Sequence, residues 1–82
     1  MIYPVVEIEW LDAVLRSGSQ DADKHAREGL MTRFTVGYLV GKTRRQVVLA
    51  MTDDRDGRVD DALTVPLAWI KKMRYLRKGR KK

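Results

Sequence analysis

Residues 33–52 read RFTVGYLVGKTRRQVVLAMT and carry the strongest structural signal in the chain. Apolar side chains recur at every second position from Phe34 to Val40, which places them on one face of a β-strand. A glycine and polar residues at 41–44 then interrupt the run. Residues 47–51 form a second apolar run that opens with β-branched residues, as strands do. The stretch therefore predicts a β-hairpin, and since a lone hairpin is marginal in water, we expect further strands elsewhere.

The N-terminal segment predicts the first of these strands. Val6, Ile8 and Trp10 alternate with two glutamates, a pattern typical of a half-buried strand with an acidic outer face. Pro4 is tolerated where a strand begins. We expect Trp10 to anchor the core and the strand to continue to about residue 15.

Residues 17–29 form a long polar excursion between the first two strands. Ser19 is a candidate N-cap for a short helix that ends at Gly29, with acidic residues near its positive end. The apolar face of such a helix is only two alanines, so we predict a loop with at most a helical turn. Long loops inside a small domain are often functional.

The second half predicts two more strands. Residues 53–61 contain five aspartates and one glycine and predict a long turn. A short fourth strand at 63–66, a one-turn helix at 67–69 and a last strand at 70–76 follow. Ile70, Met73 and Leu76 also fit an amphipathic helix. We favour the strand, because a closed five-stranded sheet, with the last strand beside the first, leaves fewer bare edges.

Composition indicates one domain, residues 1–76, followed by a basic tail, residues 77–82, which we expect to be disordered. The 82 residues include no cysteine, which excludes disulfides and cysteine-based zinc sites and fits a reducing, cytoplasmic setting. No apolar run is long enough to span a bilayer, and MIYPVVEIEW does not resemble a secretory signal.

Charge is segregated along the chain. Residues 1–70 hold nine Lys/Arg and eleven Asp/Glu, a net charge of −2, whereas residues 71–82 hold eight Lys/Arg and no acid. Flexible basic segments attract phosphate backbones by counterion release, and Tyr75 could stack on a base. The predicted nucleic-acid-binding residues are Lys71, Lys72, Arg74, Tyr75, Arg77, Lys78, Arg80, Lys81 and Lys82. Arg33, Arg44 and Arg45 are candidates to extend this surface. The alternatives are a tail that only solvates the terminus or one that rests against the aspartate-rich loop.

The sequence gives little support for a catalytic site or a metal-binding site. His25 is the only histidine and lies in a polar loop without a nucleophile or metal ligands nearby in sequence. Aligning Gly57 with the sixth position of a calcium loop puts Thr52 first and Leu63 last, so two essential carboxylates are missing. We therefore expect a non-enzymatic protein without a metal or other cofactor.

The order of elements resembles that of SH3-like small β-barrels, and more narrowly the short SH3-like proteins of tailed bacteriophages. The segments that carry this resemblance are V-E-I-E-W-L-D-A, T-V-G-Y-L-V, V-V-L-A, T-V-P-L-A-W-I and M-R-Y-L, between residues 5 and 76. The resemblance implies an all-β, SH3-like five-stranded barrel and a phage protein in the host cytoplasm; most such proteins have no assigned activity. G-Y-L-V-G-K with V-V-L-A also resembles the first motif of Sm-like RNA-binding barrels.

These observations predict an accessory binding module with two alternative roles, and a self-assembling structural part is a third possibility. One is sequence-independent nucleic-acid contact through the basic C-terminal segment, since no recognition helix is evident. The other is interaction with a host or phage protein through the loops or an edge strand of the barrel.

Overall fold

The protein is an all-β domain built on one antiparallel sheet. The computed structural model describes residues 2–13, 19, 21–26 and 29–80. The elements in chain order are β1 (Val5–Asp12), α1 (Ala22–Ala26), β2 (Met31–Lys42), β3 (Gln46–Asp53), β4 (Val59–Pro66), a 3-10 turn (Leu67–Trp69) and β5 (Ile70–Arg77).

The five strands lie in the order β4-β3-β2-β1-β5. The last strand therefore pairs with the first, as predicted, and residues 70–76 are strand rather than helix. Among the described residues no ladder joins β4 to β5, so the closed sheet that we predicted is not formed. Strand β5 ends the sheet with exposed lysine and arginine side chains, a common way of protecting an edge without closing it.

The core lies on one face of the sheet and is formed by side chains of β1, β3 and β4. Val6, Ile8 and Trp10 of β1 are buried there, as their alternation predicts. They pack against Val47, Leu49 and Val65 from β3 and β4. Trp10 is 6% exposed, its indole N–H donates to Thr35 Oγ1 at 2.9 Å, and its ring stacks on Trp69 with centroids 6.5 Å apart. The prediction that Trp10 anchors the core is confirmed.

Where strand β2 pairs with β1, it turns a polar and a small side chain toward that core, and Leu39 further along β2 packs against the core. Thr35 pairs with Ile8 and Gly37 with Val6, so both lie on the buried side. A Cβ at Gly37 would lie 3.0 Å from the Ala50 carbonyl oxygen and 3.1 Å from Leu49 Cβ. Glycine therefore lets β3 approach closely, and the alternating apolar residues of β2, beginning with Phe34, face outward instead.

Several predicted boundaries shift. The described part of β1 ends at Asp12, and residues 14 and 15 lie outside the described residues. Strand β4 begins at Val59, four residues before the predicted start. Asp21 rather than Ser19 caps α1, because Asp21 Oδ1 accepts a hydrogen bond from the Lys24 amide at 3.1 Å. His25 lies in α1, but its side chain is outside the described part.

The aspartate-rich turn is shorter than predicted, because β3 continues to Asp53 and β4 begins at Val59. Two side chains shape it: Asp53 accepts from the Arg55 amide at 2.8 Å, and Asp56 from the Arg58 amide at 3.0 Å. These are the local bonds by which aspartate favours turns. Within the described residues, no group of three or more potential ligands is placed to hold a metal ion.

Replacing Asp54 by asparagine is expected to raise the melting temperature at pH 7. Repulsion from Asp60 raises the pKa of the Asp54 carboxyl, with smaller contributions from lost hydration and from Asp56. A raised pKa means that the folded state binds the proton more tightly, so this stabilisation is present at low pH and is lost as pH rises through the folded pKa. The ionised carboxylate therefore opposes folding at neutral pH.

The check is a thermal denaturation series of both proteins across pH. The gain should vanish below about pH 3, where an ordinary aspartate is protonated in both states, and shrink in high salt, which screens exposed charges. Equal melting temperatures at pH 7 in low salt would contradict the assignment.

Candidate nucleic-acid interface

Three predicted basic residues of β5, Lys72, Arg74 and Arg77, lie on the face of the sheet opposite the core. We call this face of β1, β2 and β5 the outer face. In the ladder, Phe34, Glu9 and Lys72 form one row, because Glu9 pairs with both of the others. Val36, Glu7 and Arg74 form the next row, and Tyr38, Val5 and Arg77 the third. The outer face thus has an apolar column on β2, a largely acidic column on β1 and a basic column on β5.

Ion pairs tie the acidic column to the basic strand. Arg74 Nη2 lies 3.2 Å from Glu7 Oε1, and Lys71 Nζ lies 3.7 Å from Glu9 Oε2. The cationic side chains are 62% and 54% exposed, so these pairs contribute little to stability. Each pair places a predicted cation next to a carboxylate of β1.

Lys71 occupies an irregular position in β5. The ladder pairs Lys72 with Glu9 and Ile70 with Trp10, so Lys71 is the extra residue of a β-bulge. The bulge explains why Lys71, although next to Lys72 in sequence, also reaches Glu9.

Arg77 is held by the N-terminal segment and by β2. Its Nη2 donates to the Tyr3 carbonyl oxygen at 3.0 Å, and its guanidinium lies 5.7 Å from the centroid of the Tyr38 ring. This is a cation–π distance. The Arg77 guanidinium covers the Tyr38 ring. Of the two aromatic side chains on the outer face, Phe34 is therefore the one that is open to solvent.

The first part of the basic tail is docked against the N-terminal segment rather than extended into solvent. Arg80 and Ile2 exchange two backbone hydrogen bonds, N–H to carbonyl in each direction. A Cβ at Gly79 would lie 2.6 Å from the Ile2 carbonyl oxygen and 2.8 Å from Pro4 Cδ, so this approach requires glycine. The tail therefore begins beside the N-terminus, while Lys81 and Lys82 lie outside the described residues.

Tyr75 does not join this surface. It pairs with Val6, so it projects from the opposite side of β5 to Lys72 and Arg74. It is 51% exposed there because the sheet is open beside it. The predicted base-stacking role of Tyr75 is thus separated in space from these two cations, and an aromatic side chain on the outer face must come from β2.

The other predicted cations lie elsewhere. Arg33 Nε forms a 2.6 Å ion pair with Asp12 Oδ2, and Arg33 pairs with Trp10 in the ladder, on the core side of β2. Arg44 and Arg45 lie in the turn between β2 and β3, where the Arg45 carbonyl accepts from the Leu67 amide at 2.8 Å. None of the three shares a row with the basic column.

Sequence reasoning missed the partners of the basic column on the outer face. Phe34 is 65% exposed, and with Glu7, Glu9, Lys72 and Arg74 it lines a shallow depression of about 200 Å³. The sequence indicates such an apolar column on the outer face. Apolar residues occur in both alternating sets of positions in β2, and only one of these sets can face the core.

No protein-family model, curated protein or solved structure matches this chain. Within the described part of the chain, no helix is both long enough and apolar enough to cross a membrane.

Proposed function

We propose that this chain is a non-enzymatic accessory module that holds nucleic acid by its phosphate backbone, without reading sequence. The binding residues are the cations of β5 and of the tail that follows it. We also propose an SH3-like fold, in which the sheet stays open between β4 and β5, and a phage origin with action in the host cytoplasm. The strand order, with β5 beside β1 and a 3-10 turn before β5, supports the SH3-like part.

One observation carries the proposal: the basic column continues directly into the tail. Lys72, Arg74 and Arg77 project from one face of β5, and Lys78 and Arg80 follow on a segment docked beside Ile2. Within the described residues Lys72, Lys78 and Arg80 take part in no ion pair, so their charges are available to an anionic partner. A row of cations along an extended strand suits a linear polyanion.

The opposing charges on the outer face set a limit on the partner. Glu7 and Glu9 stand beside the basic column and repel phosphate. The phosphates of a wide duplex laid flat across the outer face would meet these carboxylates, whereas the phosphates of a single strand that follows β5 and the tail would stay clear of them. The arrangement therefore favours single-stranded over double-stranded nucleic acid.

The test is fluorescence anisotropy of the full chain with labelled single-stranded RNA and with duplex DNA, at two salt concentrations. We expect binding at low salt that weakens steeply as salt rises, with the single strand bound more tightly. A chain that ends at Leu76 should bind much more weakly. Failure of the full chain to bind either nucleic acid at low salt would contradict the proposal.

A second function, interaction with a host or phage protein, is favoured by the open edges of the sheet. Strands β4 and β5 end the sheet, and an extended segment of a partner could pair with an unpaired strand edge. Such binding would survive removal of residues 77–82 and depend weakly on salt. A pull-down with the chain ending at Leu76 as bait therefore separates the two functions.

A further inference from the structure

We propose that the depression on the outer face binds one nucleotide of single-stranded RNA. Its base stacks on Phe34, its ribose hydroxyl donates to Glu9, and its phosphate lies against Lys72 and Arg74. The inference rests on the proposed function and adds to it a defined site and a preference for RNA over DNA.

Phe34 supplies the stacking surface. Its side chain is 65% exposed near the start of β2, and its backbone is held on one side by the ladder in which Phe34 pairs with Glu9 of β1. The outer face presents Val36 beside it, 44% exposed, which extends the apolar surface along the strand. Stacking on an aromatic side chain tolerates any base, which agrees with binding that does not read sequence.

Lys72 and Arg74 supply the phosphate site, at the far side of the depression. Strands lie about 4.8 Å apart, so β2 and β5, with β1 between them, are separated by about 10 Å. This span is comparable to that of a nucleotide from its base to its phosphate. Lys72 has no ion pair within the described residues, and Arg74 uses one Nη2 contact for Glu7, which leaves other guanidinium donors for a phosphate oxygen.

Glu9 lies between these two ends, where the sugar of such a nucleotide would be. Its carboxylate is 29% exposed, and its ion-pair partner Lys71 lies at 3.7 Å, beyond hydrogen-bond distance. Its oxygens therefore remain acceptors for a hydroxyl. Carboxylates bind ribose hydroxyls in nucleotide sites, and the 2′-hydroxyl is the group by which proteins distinguish RNA from DNA.

The charges also give the nucleotide one orientation. A phosphate placed over the acidic column would be repelled by Glu7 and Glu9, so it is directed toward β5. The base is then left over β2, which carries Phe34 and no charged side chain on the outer face between positions 34 and 40. One alignment of base, sugar and phosphate thus matches all three columns.

The test compares a labelled ten-nucleotide oligouridylate with the oligodeoxyuridylate of the same length, since the two differ only in the 2′-hydroxyl. The full chain is expected to bind the RNA several-fold more tightly. Phe34→Ala should weaken RNA binding by about 5- to 150-fold, the range that loss of a stacking aromatic produces. Glu9→Ala should bring the RNA and DNA affinities together, while DNA affinity stays equal or rises because a negative charge is removed.

Met51→Ala is the matched control for Phe34→Ala, because Met51 is 60% exposed on a neighbouring strand but lies outside the depression. It should bind RNA as the unmodified chain does, and circular dichroism confirms that each variant is folded. If Phe34→Ala binds like the unmodified chain while replacement of the tail cations Lys78, Arg80, Lys81 and Lys82 by glutamine abolishes binding, the proposed function stands and the nucleotide site is wrong. If the full chain binds no nucleic acid at low salt, both are wrong.

Discussion

Replacing Trp10 by alanine is expected to remove most of the free energy of unfolding, so that a measurable fraction of the protein is unfolded at room temperature. Loss of a buried tryptophan side chain typically costs about 3–5 kcal/mol of unfolding free energy. A domain of this size has a total stability near the lower end of about 5–15 kcal/mol. Trp10 is 6% exposed, stacks on Trp69 and donates a hydrogen bond to Thr35, so its removal leaves a cavity and an unpaired hydroxyl acceptor.

Trp69→Ala is the comparison for Trp10→Ala, because Trp69 forms the other half of the stack but is 44% exposed. Urea denaturation followed by circular dichroism should show a clearly smaller loss for Trp69→Ala. Trp10→Phe keeps an aromatic ring but loses the hydrogen bond to Thr35. Its loss of unfolding free energy should lie between the losses of Trp69→Ala and Trp10→Ala. Equal losses for Trp10→Ala and Trp69→Ala would mean that the core is not centred on Trp10.

Neutralising the tail is expected to cause a large, salt-dependent loss of nucleic-acid affinity. The variant replaces Lys78, Arg80, Lys81 and Lys82 by glutamine. Substitution is preferable to truncation, because Arg80 bonds Ile2 through its backbone and that contact is kept. Removing four cations that release counterions should weaken RNA binding by about tenfold or more at low salt. Anisotropy with the same labelled RNA measures the loss.

The control for tail neutralisation removes the same charge elsewhere. Four cations outside the basic column and tail, Lys42, Arg44, Arg45 and Arg58, are replaced by glutamine, so both variants have the same net charge. We expect this control to retain most of the affinity. If the two variants lose affinity equally, only the net charge of the protein matters, and the location of the cations on β5 and the tail has no special role.

Sequence patterning predicts most of the strands because they bury one face or turn at recognisable residues. Val6, Ile8 and Trp10 alternate with glutamates, which leaves one choice of buried face, and that choice is confirmed. In β2 both faces contain apolar residues, so alternation alone does not show which one is buried. The choice follows from the pairing of Gly37 with Val6 and from the close approach of β3, both of which are tertiary features.

The candidate site was only partly predictable, for a related reason. The cations of 71–82 are evident from composition, but their neighbours depend on register. Glu7 and Arg74 are 67 residues apart in sequence, and the bulge at Lys71 decides which cations face outward. The sequence favours Tyr75 as the stacking residue because it directly follows Arg74. Strand alternation, however, puts Tyr75 on the face of β5 opposite to Arg74. Loops gave the least accurate predictions, as the Asp21 cap and the shorter aspartate-rich turn illustrate.

The most direct test of the central claim is the salt dependence of RNA binding. The logarithm of the association constant for labelled single-stranded RNA is measured against the logarithm of salt concentration, for the full chain and for the tail-neutralised variant. Each phosphate contact contributes a slope of about −0.7 on a single strand, so the loss of four contacts should flatten the slope by about 2 to 3. Identical slopes, or no binding by the full chain at low salt, would contradict the account.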